Sequence, residues 1–154
     1  MPRKIILNIT PQTHVRTTQG DRWFFRIPRD KLRPSGLKRL LRIEKYNQYK
    51  IDLLAEAKRK KFTLPAAGLS VVFYIPTPAS WSQKKKKLYH GTFHQSSPDI
   101  DNLNKAFFDS LVSEDKFVAN ITLTKRWVDF PDGWIELQIT DQEMQLSIQP
   151  PAKE

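Results

Sequence analysis

The sequence predicts a single α+β domain with a mixed sheet of four to five strands and two main helices. Three observations carry that expectation. Strand-like runs lie near both ends of the chain, and two long stretches of helical periodicity stand between them. The length, 154 residues, suits one domain with a sizeable core. A composition of 39% hydrophobic and 27% charged residues is that of a folded globular chain.

Taken in order, Lys4 to Ile9 reads as a first strand, closed by Thr10-Pro11. Gln12 to Gln19 is polar, contains His14 and Arg16, and reads as a loop. Gly20-Asp21 is a turn signal, and Arg22 to Arg26 reads as a short second strand. Pro28 to Pro34 is a basic connector. Ser35 to about Lys60 is a long helix, with Gly36 a weak point near its start. Tyr46, Tyr49, Leu53 and Ala57 share one face, preceded by Leu40, Leu41 and Ile43, so these aromatics are core candidates.

Leu69 to Ile75 is nearly continuous in apolar and aromatic residues, as a central strand would be. Pro76 and Pro78 stop it. A long polar loop to Ser97 follows, with Trp81, the run Lys84, Lys85, Lys86, Lys87, and then Tyr89. Asp99 to Leu111 is the second helix. Phe117 to Trp127 alternates as a strand. Phe130-Pro131-Asp132-Gly133 reads as a hairpin turn into Trp134–Thr140, whose Ile135, Leu137 and Ile139 share a face. Residues 1–140 form the expected domain, and residues 141–154, ending near Pro150-Pro151, a flexible tail.

Charge is unevenly spread. Residues 1–61 carry 17 Lys and Arg against 5 Asp and Glu, whereas residues 62–140 carry 8 against 8. A basic segment of this excess favours a polyanionic partner over mere solubility charge. The lysine run flanked by Trp81 and Tyr89 suits an arm that pairs charge with stacking on exposed bases. Cysteine is absent, which excludes disulfides, thiolate metal sites and cysteine nucleophiles. His14, His90 and His94 are too scattered for a zinc cluster. No apolar run approaches a membrane span, and the apolar stretch after Met1 is too short for a signal peptide. A cytoplasmic protein is the expectation.

The chemistry concentrates at the second helix. Leu103, Ala106, Phe107, Ser110 and Leu111 define its small-to-apolar face, and Asp101, Lys105 and Asp109 recur every four residues opposite it. Asp99, after Pro98, stands where an N-cap would. Carboxylates ~4 Å apart repel by about 4 kcal/mol near a protein surface. A hard divalent cation relieves that repulsion, with carboxylate, water and phosphate oxygens as ligands. Acids in a first helical turn also stabilise the helix dipole with no metal at all. A calcium loop of the EF-hand kind is excluded, because counting from Asp99 its glycine position falls on Asn104.

The run Pro98-Asp99-Ile100-Asp101-Asn102-Leu103-Asn104-Lys105, continued by Asp109-Ser110-Leu111, resembles the signature of the RusA family of Holliday-junction resolvases. That signature reads roughly Pro-Asp-x-Asp-Asn-Leu-x-Lys-x-x-x-Asp-x-Leu. The resemblance extends over about residues 4–140 and includes Ile75-Pro76, Ser80-Trp81-Ser82, the lysine-bearing loop and His94. It implies a homodimeric nuclease, of a kind common in phages and prophages, that nicks two strands of four-way DNA junctions in recombination and repair. The implied cofactor is Mg2+, with Mn2+ as an alternative.

By the same resemblance the first two aspartates of the site map onto Asp99 and Asp101, and its lysine onto Lys105. The family's third acid ends an Asp-Asp pair beyond a glycine-containing loop; this chain has a shorter connection, no glycine there, and Glu114-Asp115. Aligning Lys125 with the family's strand lysine places Asp115 on the third acid. A slipped register places Val118 or Asn120 there and leaves that ligand absent. The implied catalytic set is Asp99, Asp101, Lys105 and Asp115, with the three aspartates on metal. Lys84, Lys85, Lys86, Lys87, Arg16 and Lys125 are expected DNA contacts. Rival readings are a non-catalytic DNA-binding protein on the same fold and a less selective endonuclease on branched DNA. A glycosyltransferase, suggested by Asp-Ile-Asp, lacks a nucleotide-binding βαβ unit.

Overall fold

A computed structural model describes residues 3–112, 114–142 and 145–153. Among them, four strands form one mixed sheet: β1 (Arg3–Leu7), β2 (Leu69–Pro76), β3 (Ile121–Val128) and β4 (Trp134–Ile139), in spatial order β1-β4-β2-β3. The helices are α1 (Asp21–Arg26), α2 (Pro34–Arg59), α3 (Gln83–Tyr89) and α4 (Ile100–Leu111), with a 3-10 turn at Arg29–Lys31. The expected α+β domain is present, with the sheet at the lower expected strand count.

α2 and α4 cover one face of the sheet. Alternation in the strands turns Ile5, Leu7, Val71, Phe73, Ile135 and Leu137 toward them, and all six are buried. Ile43, Tyr46, Tyr49, Leu53 and Ala57 answer from α2, and Leu103, Ala106 and Phe107 from α4. Phe107 meets Phe73 edge-on at 6.3 Å between ring centroids. Burying each large side chain of this kind stabilises by about 1.5–3 kcal/mol. Leu41, grouped with the apolar run of α2, is exposed. Burial pushes the Tyr49 phenol up to about 12. The other sheet face is mixed, with Tyr74 stacked on Trp134 at 4.7 Å between ring centroids. There Glu136 takes Tyr74 Oη at 3.0 Å and Lys4 Nζ at 2.5 Å.

Three expectations are corrected. Trp134–Ile139 does not form a hairpin with β3; β2 lies between the two strands, antiparallel to β4 and parallel to β3. β2 is the most continuously apolar strand and gains most from an interior position. The connection therefore crosses the end of β2, and Gly133 passes so close that a Cβ would stand 2.0 Å from the Tyr74 carbonyl oxygen. The lysine run lies not on a loop but in α3, where Ser82 Oγ caps by accepting from the Lys85 amide at 3.2 Å. Lys85 lies over the Trp81 ring at 4.1 Å, an i,i+4 pairing that the alternative of an irregular arm would forgo.

Arg22–Arg26 is helical rather than a strand, because its partner is α2 and not the sheet. Phe24 packs on Gly36, where a Cβ would come within 3.0 Å of the ring, so the glycine at the start of α2 makes room for α1. Asp21 fixes the register. Its carboxylate accepts from Arg39 Nε at 3.1 Å, from an Arg39 terminal nitrogen at 3.0 Å, and from the Thr18 amide at 2.6 Å. The Arg39 bonds, then the Thr18 amide, hold this carboxyl down at about 2. A depressed carboxyl stabilises fully above its unfolded value near 4, and that stabilisation is lost as pH falls through about 2. Amide exchange in residues 21–26 is expected to accelerate between pH 4 and 2, ahead of exchange in β2. In Arg39→Ala the same segment is expected to exchange fast already at pH 7.

Candidate active site

The sheet and α2 hold α4 by its apolar face, so its polar face is turned outward with Asp101, Lys105 and Asp109 in line. Their environments differ. Asp101 and Lys105 are well exposed and form only a loose i,i+4 pair, Nζ to Oδ2 at 3.8 Å. Asp109 is tied down. Its Oδ2 accepts from Tyr46 Oη at 3.0 Å and lies 3.0 Å from His14 Nε2. The His14 amide also donates to the Asn102 carbonyl at 3.2 Å, so the loop after β1 is laced along α4. Burial, then the Asp109 carboxylate, raises the Tyr46 phenol well above its ordinary value. Asp109 is a structural acid that joins α2, α4 and this loop.

Asp99 occupies the N-cap position of α4 with extended backbone, yet its side chain makes no capping hydrogen bond. An aspartate there ordinarily accepts from the amide of the second or third helical residue. Asp99 therefore gives its carboxylate to no amide of the first turn, and Asp101 follows two residues on.

The segment leading into Asp99 is fastened to β3. Gly91–His94 runs along its outer edge, with the Gly91 amide donating to Trp127 O at 2.8 Å, the Trp127 amide to Thr92 O at 3.0 Å, and the His94 amide to Lys125 O at 3.0 Å. His94 is buried against Trp127, ring centroids 3.8 Å apart. Burial, then the nearby Lys125 charge, lowers its pKa, which keeps the imidazole neutral. Lys125 Nζ donates to the carbonyls of Ser96 at 2.5 Å and Pro98 at 2.7 Å. Sequence reasoning assigned Lys125 to DNA; these contacts, 27 and 29 residues apart in the chain, left no local signal.

Asp115 follows the C-terminal end of α4, whereas Asp99 and Asp101 stand at the N-terminal end, and a 12-residue helix is about 18 Å long. Its carbonyl accepts from the Val118 amide at 3.0 Å, and neighbouring Glu114 pairs with Lys116 at 3.0 Å. Among the described residues no group of three or more Asp, Glu, His or Cys converges on a point. Asp99 and Asp101 thus stand at the start of α4 with Lys105 paired to Asp101, and Asp115 follows the far end of the same helix. Lys84, Lys85 and Lys87 are exposed on α3, Lys86 is half-buried, and the Arg16 side chain is exposed.

Two substitutions separate these roles. Asp99→Ala is expected to lower stability by less than ~0.5 kcal/mol, below the ~1 kcal/mol typical of a lost cap. Asp109→Ala strands the Tyr46 hydroxyl and is expected to cost about 1–3 kcal/mol. Urea denaturation of both variants checks the contrast.

Residues 27–140 match the family model described as Endodeoxyribonuclease RusA. No curated protein matches the chain. The matched span includes the whole α4 signature, α3 and its lysines, and all of the sheet except β1. A match over about three quarters of the chain shows that it belongs to the RusA endodeoxyribonuclease family.

Proposed function

We propose that this protein is a divalent-metal-dependent endonuclease that resolves four-way DNA junctions by paired nicking, as a homodimer, in recombination and repair. The observation that carries this reading is Asp99, an N-cap carboxylate with no capping bond, adjacent to exposed Asp101 in the family signature. The donor set fits Mg2+ or Mn2+: both oxygens are hard, and Mg2+ commonly takes one or two carboxylates plus phosphate and water. Asp99 and Asp101 would hold the ion. When bound, it supplies an activated water and charge neutralisation at the phosphate.

The chain's own groups do the rest. Lys105, one turn beyond Asp101 and only loosely paired with it, is free to turn toward a phosphate oxygen and offset charge on the leaving group. The exposed lysines of α3 and Arg16 track the backbone, and each phosphate they neutralise adds about −0.9 to the salt slope on duplex DNA. A dimer offers two sites to two strands. We further propose that it acts in the cytoplasm, at the nucleoid, and that a phage or prophage encodes it. Among the described residues no helix is long and apolar enough to cross a membrane.

One observation favours a second reading, a DNA-binding protein without cleavage: among the described residues no group of three or more Asp, Glu, His or Cys side chains is placed to hold a metal ion. Incubation of a labelled four-way junction with and without Mg2+ separates the two. Symmetric nicks that require the metal, lost in Asp101→Asn while junction binding is kept, are the expected result. Salt-sensitive binding with no nick at any Mg2+ or Mn2+ concentration supports the second reading. A fork and a plain duplex cut as fast as the junction would make the enzyme a less selective endonuclease. Lys84→Ala and Lys87→Ala are each expected to flatten the salt dependence of binding by about 0.9 in slope.

A further inference from the structure

We infer that Lys125 is a positioning residue that aims Asp99, and not a DNA contact. The inference rests on the proposed role of Asp99 in holding a divalent ion.

The strand register gives the reason. In the parallel pairing of β2 and β3, Leu69, Val71 and Phe73 stand opposite Ile121, Leu123 and Lys125. Opposed residues of neighbouring strands share a face. Val71 and Phe73 are fully buried in the helix-covered core, so Lys125 extends an apolar row on the covered side of the sheet. An ammonium leaving such a row must find oxygen or reach water. This one finds the carbonyls of Ser96 and Pro98, at 2.5 and 2.7 Å, and two of its three protons are committed there.

Those carbonyls flank the peptide that leads directly into Asp99. The backbone of Lys125 holds the same segment through the His94 amide at 3.0 Å. The His94 ring, packed on Trp127, adds a long bond of 3.4 Å from the Ser96 amide to Nδ1. Side chain and backbone of one strand residue thus set where the chain enters α4, and with it the direction of a carboxylate that no capping bond restrains. Helix stability does not explain the arrangement, since a cation near a helix N-terminus has the wrong sign for the macrodipole.

The test compares Lys125→Met, which removes both donors, with Lys125→Gln, which restores one donor without charge. Four-way junction affinity is measured in EDTA across a salt series. Cleavage is measured across Mn2+ concentrations, and Mn2+ binding to the free protein by EPR. For Lys125→Met the expected result is junction affinity within about twofold of wild type, with the salt slope unchanged. Its kcat falls roughly 100-fold at near-constant KM, as for a misplaced catalytic group. Mn2+ binding weakens, and Lys125→Gln recovers part of both losses.

A slope flatter by about 0.9, with Gln no better than Met, would make Lys125 a phosphate contact and overturn the inference. Unchanged kcat and Mn2+ binding would overturn it equally. If Lys125→Met does not fold, Lys125→Gln against wild type decides by the same readouts. Failure of wild type to nick any junction, with Mn2+ binding still weakened in Lys125→Met, would instead strike the nuclease reading and leave the positioning role standing.

Discussion

The burial of one face of α4 is the constraint on which the rest depends. Leu103, Ala106 and Phe107 are fully buried, and Phe107 lies against both Phe73 of β2 and Phe62 beyond α2. Rotating the helix by one residue, about 100°, would expose Phe107 and drive a charged residue into the core. That cost is several kcal/mol. The rotation of α4 is therefore fixed by hydrophobic packing, with Asp109 on Tyr46 holding the same orientation, and Asp101 and Lys105 face outward as a consequence. A face that displays acids in a basic protein needs no further energy to hold it open.

Strand order sets what surrounds the helix start. β2 is interior because it is the most apolar strand, and β3 consequently lies outermost. An outer strand exposes unpaired amides and carbonyls. Here Gly91–His94 covers them over the C-terminal half of β3, with Phe93 bridging Arg126. The same cover strip continues through Ser96 and Pro98 into Asp99. Edge protection and site construction are thus one piece of chain, and the Lys125 ammonium joins them.

The three members of the polar stripe on α4 show how local chemistry divides residues of one spacing. Asp101 and Lys105 meet water and each other at 3.8 Å, whereas Asp109 gives its Oδ2 to Tyr46 and His14. The first pair is available to a ligand, and the third residue is committed to holding α2, α4 and the loop after β1 together. The lysines are divided likewise: Lys85 rests on Trp81 and shields an aromatic cluster, while Lys84 and Lys87 face solvent from the same helix.

What the sequence determined was whatever depends on near neighbours. The α4 periodicity, its two-sidedness, the Asp99-Asp101-Lys105 grouping and the central character of Leu69–Ile75 all arise from spacings of one to eight residues. The Ser82 cap and the i,i+4 run Trp81-Lys85-Tyr89 were equally local, and they were obscured by the lysine charge around them. Tertiary structure alone decided the rest. Arg22–Arg26 has the composition of a strand, but Gly36 and Arg39 offer it a helix to pack on. The insertion of β2 between β3 and β4 is a competition among strands for interior positions, which no single segment encodes. Asp115 and Lys125 exchange prominence for the same reason. Alignment of Lys125 with the family's strand lysine points to Asp115, which follows the end of a 12-residue helix that begins after Asp99. Lys125 is far along the chain, yet pairing of β3 with β2 brings its ammonium to the carbonyl of Pro98.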